Sequence, residues 1–238
     1  QWWQDPAHGQ TLCTWAFNPN LDRRAPHAMH YVRTHQTPND WFMFGDSGAG
    51  YLNPGMLLED ARRGVSDLPS GLDAWVAHNR IYANRYDLSI TGFIIDGHSP
   101  GMGDEGMQAY LEFSADGIVG QKIPAQGVFR GVLPHVRMKL DLDGTPAEAG
   151  ATLASLAGVN APEFLFIRTI LKSPSWHRDV MNAATAINSS LAFVDPYTFF
   201  LLLRAHVQTS HAAAPGAMPE VEFVARDIHP RPGARAGV

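Results

Sequence analysis

Apolar and polar positions follow two rhythms along this chain, and the rhythm changes often. The run DWFMFG at 40–45 is apolar without alternation, as a strand buried on both faces would be. Residues 71–86 place Leu72, Trp75, Val76, Asn79 and Tyr82 at helical spacing. Between and after them the two patterns take turns. Strands are expected at 11–17, 88–96, 116–122, 136–142, 163–171 and 191–195. Helices are expected at 22–35 (with its first turn broken at Pro26), 104–114, 145–158, 173–188 and 196–207. The helix after Asp143 has the clearest boundaries: Thr145 as N-cap, Pro146 at the first helical position and glycine after the last.

Strands alternating with helices predict repeated βα units, hence an α/β fold with a mostly parallel sheet and helices outside it. The number of units fits an open doubly wound sheet or a (β/α) barrel-like arrangement, here expected to be incomplete. The sequence has no internal repeat. Residues 1–207 read as one α/β domain, and 208–238 as a tail or linker rich in Ala, Pro and Gly, with one short strand-like stretch, VEFVA.

The chain's 238 residues suffice for one sizeable core. A net charge of -5, with Lys and Arg scattered, gives no electrostatic footprint for nucleic acid. No run of 18 apolar residues occurs, so no membrane-spanning segment is expected. The single cysteine, Cys13, excludes an internal disulfide and a cysteine-built zinc site, and its neighbours make it a core thiol. No cofactor motif is present, and none is expected to be needed. Because the chain opens at Gln1 on QWWQDP, it reads as an N-terminally truncated piece; a secreted or periplasmic location is compatible with it.

The chemistry centres on WFMFGDSGAGYLNPG, residues 41–55. Gly45-Asp46-Ser47-Gly48 is the tetrapeptide around the nucleophile of trypsin-like proteases, but those need an all-β double barrel with the rest of the triad far upstream. A nucleophile elbow suits a serine at a strand end better. It also requires an immediate helix, which Gly50, Asn53, Pro54 and Gly55 interrupt. A serine esterase using Ser47 is therefore the third choice among functions.

Taken as a whole, TPNDWFMFGDSGAGYLNP resembles the family of putative glycoside hydrolases named for its GxGYxYP motif. The motif stands here as Gly48-Ala49-Gly50-Tyr51-Leu52-Asn53-Pro54, with Asn53 where the family has a second tyrosine. The Arg85–Leu88 join, ADGIVGQ and FVDPYTFFLLLRAH are also similar, so the resemblance covers about residues 1–207. It implies a carbohydrate substrate. The residues agree with that: Gly48 and Gly50 let a ligand approach the backbone, and Tyr51 offers a ring face and a hydroxyl.

In a parallel α/β sheet, ligands lie at the carboxyl ends of the strands. Those ends are Phe17–Asn18, Asp46–Tyr51, Asp96–His98, Gln121–Lys122, Asp141–Asp143, Arg168–Lys172 and Asp195. Glycoside hydrolysis needs an acid for the leaving oxygen and a carboxylate to attack or to activate water. Asp96, ending an apolar strand ahead of a glycine-rich loop, is the expected acid or base, with Asp46 as its partner. Ser47, Gly48, Gly50, Tyr51, Asn53, His98 and Arg168 are the expected substrate contacts. Asp96 with His98 has the chemistry for a divalent ion, but His27, His30 and His35 make no convincing metal set, and no metal is expected. Asp195, before Pro196, reads as a helix N-cap and not a catalyst. The alternative to a hydrolase is a catalytically silent sugar-binding or scaffold module.

Overall fold

The structure, a computed structural model, describes residues 2–62, 66, 68–98, 100–157 and 162–212. The chain runs β1 (Cys13–Phe17), α1 (Leu21–Arg24), α2 (Pro26–Thr34), β2 (Asp40–Phe44), α3 (Glu59–Arg62), α4 (Leu72–Tyr86), β3 (Ile90–Ile94), α5 (Gly103–Tyr110) and β4 (Gly117–Gly120). It continues β5 (Gln126–Phe129), β6 (Leu133–Arg137), β7 (Asp141–Leu142), α6 (Pro146–Leu156), β8 (Arg168–Thr169), α7 (Pro174–Ile187) and α8 (Pro196–Ala212).

A six-stranded sheet has the order β1-β2-β3-β4-β6-β5, with every pair parallel except the β5–β6 hairpin. A two-stranded parallel sheet, β7–β8, follows. The chain passes directly from one to the other between β6 and β7, bonding to both. Met138 N–H donates to the Gly120 carbonyl at 2.9 Å, and Lys139 N–H donates to the Phe166 carbonyl at 3.0 Å. The fold is thus α/β with a mostly parallel sheet, as the alternating pattern predicts. The six-stranded sheet is open, with β1 and β5 at its ends, so no barrel closes within the described residues.

Sequential parallel order with right-handed crossovers puts all the crossover helices on one face. Met29 of α2, Trp75 and Tyr82 of α4 and Met107 and Tyr110 of α5 pack there on Phe42, Phe44 and Ile118. The opposite face, carrying Met43, Ile90, Val119 and Val136, is covered by Phe200 and Leu203 of α8. Phe42 and Phe44 against Met43 explain the unbroken apolar run: β2 is buried on both sides. The approach of α8 is close enough that a Cβ on Gly117 would lie 2.3 Å from the Phe200 ring.

Three expected strands change, the first being 136–142, which is divided between the end of β6 and the two-residue β7. Of 163–171 only Arg168–Thr169 forms a strand; Phe164 and Phe166 pack on α8, with the Phe199 ring centre 5.7 and 5.8 Å from theirs. Residues 191–195 form no strand; Asp195 instead caps α8, accepting from the N–H groups of Tyr197 and Thr198 at 2.9 Å each. The β5–β6 hairpin is an addition to the expected elements. α8 continues to Ala212, past the expected domain boundary at 207, and VEFVA lies outside the described residues. Cys13 is buried, and burial pushes its thiol up to about 12, which leaves it unreactive at neutral pH.

Candidate functional site at the strand ends

The loop after β2 begins with two consecutive non-glycine residues in the left-handed region, Asp46 at φ 54° and Ser47 at φ 68°. Such conformations cost roughly 1–3 kcal/mol each and persist only where the surroundings fix them. Ser47 supplies much of that fixing. Its hydroxyl donates to the Leu52 carbonyl at 2.7 Å and accepts from Ile95 N–H at 2.7 Å. Its own N–H donates to the Phe93 carbonyl at 2.6 Å, and the Tyr110 hydroxyl donates to the Ser47 carbonyl at 2.9 Å. From α4, Asn79 accepts the Ala49 N–H at 2.6 Å and donates to the Trp75 carbonyl at 2.8 Å. At Gly48 (φ 121°) a Cβ would lie 2.3 Å from the Asn79 Oδ1, so only glycine fits.

Ser47 is therefore a brace. It is 0% exposed, both its hydroxyl bonds are to backbone, and among the described residues no histidine bonds to it. The nucleophile reading and the direct sugar contact both lose their geometric basis, and Gly48, packed on Asn79, is likewise structural.

What the brace presents is Asp46 and Tyr51. Asp46 is half-buried, and burial pushes its pKa up, opposed by a hydrogen bond with Asn18 of the β1 end and by the charge of Arg168. Tyr51 is 76% exposed, so it is no core plug. Arg168 reaches across from β8. Its guanidinium carbon lies 3.8 Å from the centre of the Phe93 ring, while Nε and Nη2 grip both carboxylate oxygens of Asp141, Nη2 at 2.7 Å. The bond to Asp141 raises the Arg168 pKa against the effect of burial, with Asp141, Tyr51 and Asp46 adding their charges. The same bond holds the Asp141 carboxyl below its usual range. A second pair, Lys172 with Asp143, stands further along the same ends, the ammonium 5.1 Å from the Trp176 ring centre.

A register shift in β3 between Thr91 and Ile94 makes this possible. Ile90 faces α8 while Ile94 faces the crossover helices, although both have the same parity. The irregularity re-aims the end of the strand, so Phe93 points to the face from which Arg168 comes.

Asp96 is not part of that cluster's exposed surface. It is 0% exposed, and its carboxylate accepts from the N–H groups of Gln121 at 2.6 Å and Lys122 at 3.1 Å. The expected acid or base is thus enclosed: two backbone donors bind its carboxylate, and it ties the β3 end to the β4–β5 loop. Asn53 is also engaged internally, its amide donating to the His98 carbonyl and accepting Gly55 N–H at 2.9 Å. His98 is exposed, and Gly50 (φ 155°) has room around it. Among the described residues there is no group of three or more His, Cys, Asp or Glu placed to hold a metal.

Two concavities lie elsewhere, and neither is lined by the Tyr51 loop. One of about 490 Å³ lies between the β5 hairpin and α8, with Gln126, Val128 and His206 in its wall. The other, of about 430 Å³, lies between α4 and α5. The Asp46 cluster is a stronger candidate than either, because it joins strained backbone, shifted carboxyls and strand ends in one place. It forms an open platform around the exposed Tyr51. Sequence reading marks the ends that hold Asn18 and Asp141, but no sequence signal pairs them with Asp46 and Arg168, and Phe93 is missed altogether.

The family model described as GxGYxYP putative glycoside hydrolase C-terminal domain matches residues 1–204. A crystal structure of a putative hydrolase from Bacteroides thetaiotaomicron superimposes with a TM-score of 0.65 at 18% identity, over 87% of this chain and 41% of that one. At that identity the likeness speaks for the fold, and this chain spans 41% of that protein's length. No curated protein matches the chain.

Proposed function

This chain belongs to the GxGYxYP putative glycoside hydrolase family, matching its C-terminal domain, and from that premise we propose that it binds and cleaves a carbohydrate at the ends of β1, β2, β3 and β8. The observation that carries this reading is Asp46, half-buried beside Arg168 and five residues before the exposed Tyr51, on a loop held in a strained conformation. A carboxyl whose pKa is raised retains its proton at higher pH, as the acid of glycoside hydrolysis must. Asp46 therefore takes the acid role expected of Asp96, delivering its proton to the glycosidic oxygen as the bond to the anomeric carbon breaks. Tyr51 provides the flat face for a sugar ring, and Arg168 the donors for its hydroxyls.

The second reading is a sugar-binding module without chemistry. The 76% exposure of Tyr51 favours it, since hydrolases commonly enclose the bond they cleave. Incubating the full-length protein with a panel of polysaccharides and aryl glycosides separates the two. Release of reducing ends or of the aryl alcohol supports the hydrolase; binding without release supports the module.

A further inference from the structure

Resting on the hydrolase reading, we infer that Asp141 is the second carboxylate of the site, coupled to Asp46 through Arg168 and acting as the base that activates water. Three geometric facts converge on it. Arg168 grips Asp141 with two donors, Nη2 at 2.7 Å, so the carboxylate is fixed in direction. The guanidinium is itself fixed, lying on the Phe93 ring at 3.8 Å. Phe93 belongs to β3, the neighbour of β2, whose loop carries Asp46, and the charge of Arg168 is felt at Asp46.

One cation therefore serves two carboxylates that differ in surroundings. Asp46 is half-buried with its pKa pushed up by desolvation, whereas the Asp141 side chain is 46% exposed and held ionised by Arg168. Carboxyls whose environments drive them apart divide into an acid and a base. Arg168 occupies one edge of the Asp141 carboxylate and leaves its remaining lone pairs open to solvent water. In the reaction, the Asp46 proton goes to the leaving oxygen while Asp141 takes a proton from the water that bonds to the anomeric carbon. The glycoside plus water becomes a free sugar and an alcohol, and solvent returns the proton from Asp141 to Asp46.

The test compares Asp46→Asn and Asp141→Asn in the full-length protein, on dinitrophenyl glycosides and on glycosides with poor leaving groups. An excellent leaving group does not need protonation. Asp46→Asn should therefore lose much less rate on dinitrophenyl substrates than on the others. Asp141→Asn should lose about a hundred-fold or more on both, with little change in KM, and its pH profile should lose the acidic limb. Asp141→Glu, which keeps a carboxylate, should recover part of the rate and guards against a folding defect. Carboxyl-carbon NMR gives a readout independent of turnover: with Asp141 gone, Arg168 is released toward Asp46, whose titration should move down. Asp141→Asn within threefold of wild type, or an unmoved Asp46 titration, overturns this inference while leaving the hydrolase reading in place. A wild-type protein that cleaves no substrate of either kind overturns the hydrolase reading itself, and the base role with it.

Discussion

The guanidinium of Arg168 rests 3.8 Å from the centre of the Phe93 ring, spanning from the small β7–β8 sheet to the third strand of the main one. This stack brings the charge of β8 beside the carboxyl that ends β2. Cation–ring contacts of this kind add of order 1 kcal/mol, and the planar guanidinium keeps its edge free to bind Asp141 while its face lies on the ring. The platform is thus built from three elements that are distant in sequence: the loop after β2, β3 and β8.

Asp46 should weaken the fold at neutral pH. Its pKa is raised in the folded chain, so the folded state binds the proton more tightly than the unfolded state does. Stability falls as pH rises from the ordinary value of 3.8 through the folded pKa, and stays lower above it. Asp46→Asn should therefore melt at or above the wild-type temperature at pH 7, with the gap closing as pH falls toward 3.8. Thermal melts across pH check this; a variant less stable by the same margin at every pH contradicts it.

Ser47→Ala should lower stability more than activity. It removes the hydroxyl that bridges the Leu52 carbonyl and the Ile95 N–H, leaving both without that partner, at about 1–3 kcal/mol. Turnover measured well below the melting temperature should stay within tenfold of wild type. Complete loss of turnover in a folded Ser47→Ala protein would restore Ser47 as a nucleophile.

Asp96→Asn should behave as a lost brace. An amide has only one accepting oxygen where the carboxylate offers two, to Gln121 N–H and Lys122 N–H. Denaturant unfolding should show a loss of about 1–3 kcal/mol, with turnover reduced far less than by Asp46→Asn. The opposite ranking would return the acid role to Asp96.

Tyr51→Ala should leave stability within about 0.5 kcal/mol, because so exposed a side chain contributes little to packing. Sugar affinity, read by calorimetry, should fall about tenfold, with Tyr51→Phe intermediate, as the loss of a stacking face predicts. An unchanged affinity in Tyr51→Ala would remove the tyrosine from the site.

Much of this was legible in the sequence where local chemistry decides. α6 begins where Thr145 and Pro146 mark it, with Glu148 completing the capping box, and α4 buries Leu72, Trp75, Asn79 and Tyr82 on the face that the spacing predicts. β2 and β3 end where the polar residues begin. The hairpin was not legible, because Gly127, Gly131 and Pro134 interrupt any regular alternation and its pairing depends on a partner strand. Conversely, the apolar stretches 163–171 and 191–195 look like strands, yet their side chains are drawn to α8 or to a helix cap. At the candidate site, Asp46 and Arg168 were marked from strand ends and Tyr51 from the GxGY motif. The roles of Ser47 and Asp96 were not, since their partners Ile95 and Gln121 lie 48 and 25 residues away. Whether a carboxylate meets solvent or a backbone N–H is decided by the fold.

The most direct measurement is turnover of a poor-leaving-group glycoside by the full-length protein and its Asp46→Asn form, with sugar affinity measured alongside. The side chain keeps its shape in this substitution and loses its titrating group. Proton delivery by Asp46 predicts a rate lower by about 10²–10⁴-fold, with affinity retained and a melting temperature at or above that of the wild type. Equal turnover in the two proteins would contradict it.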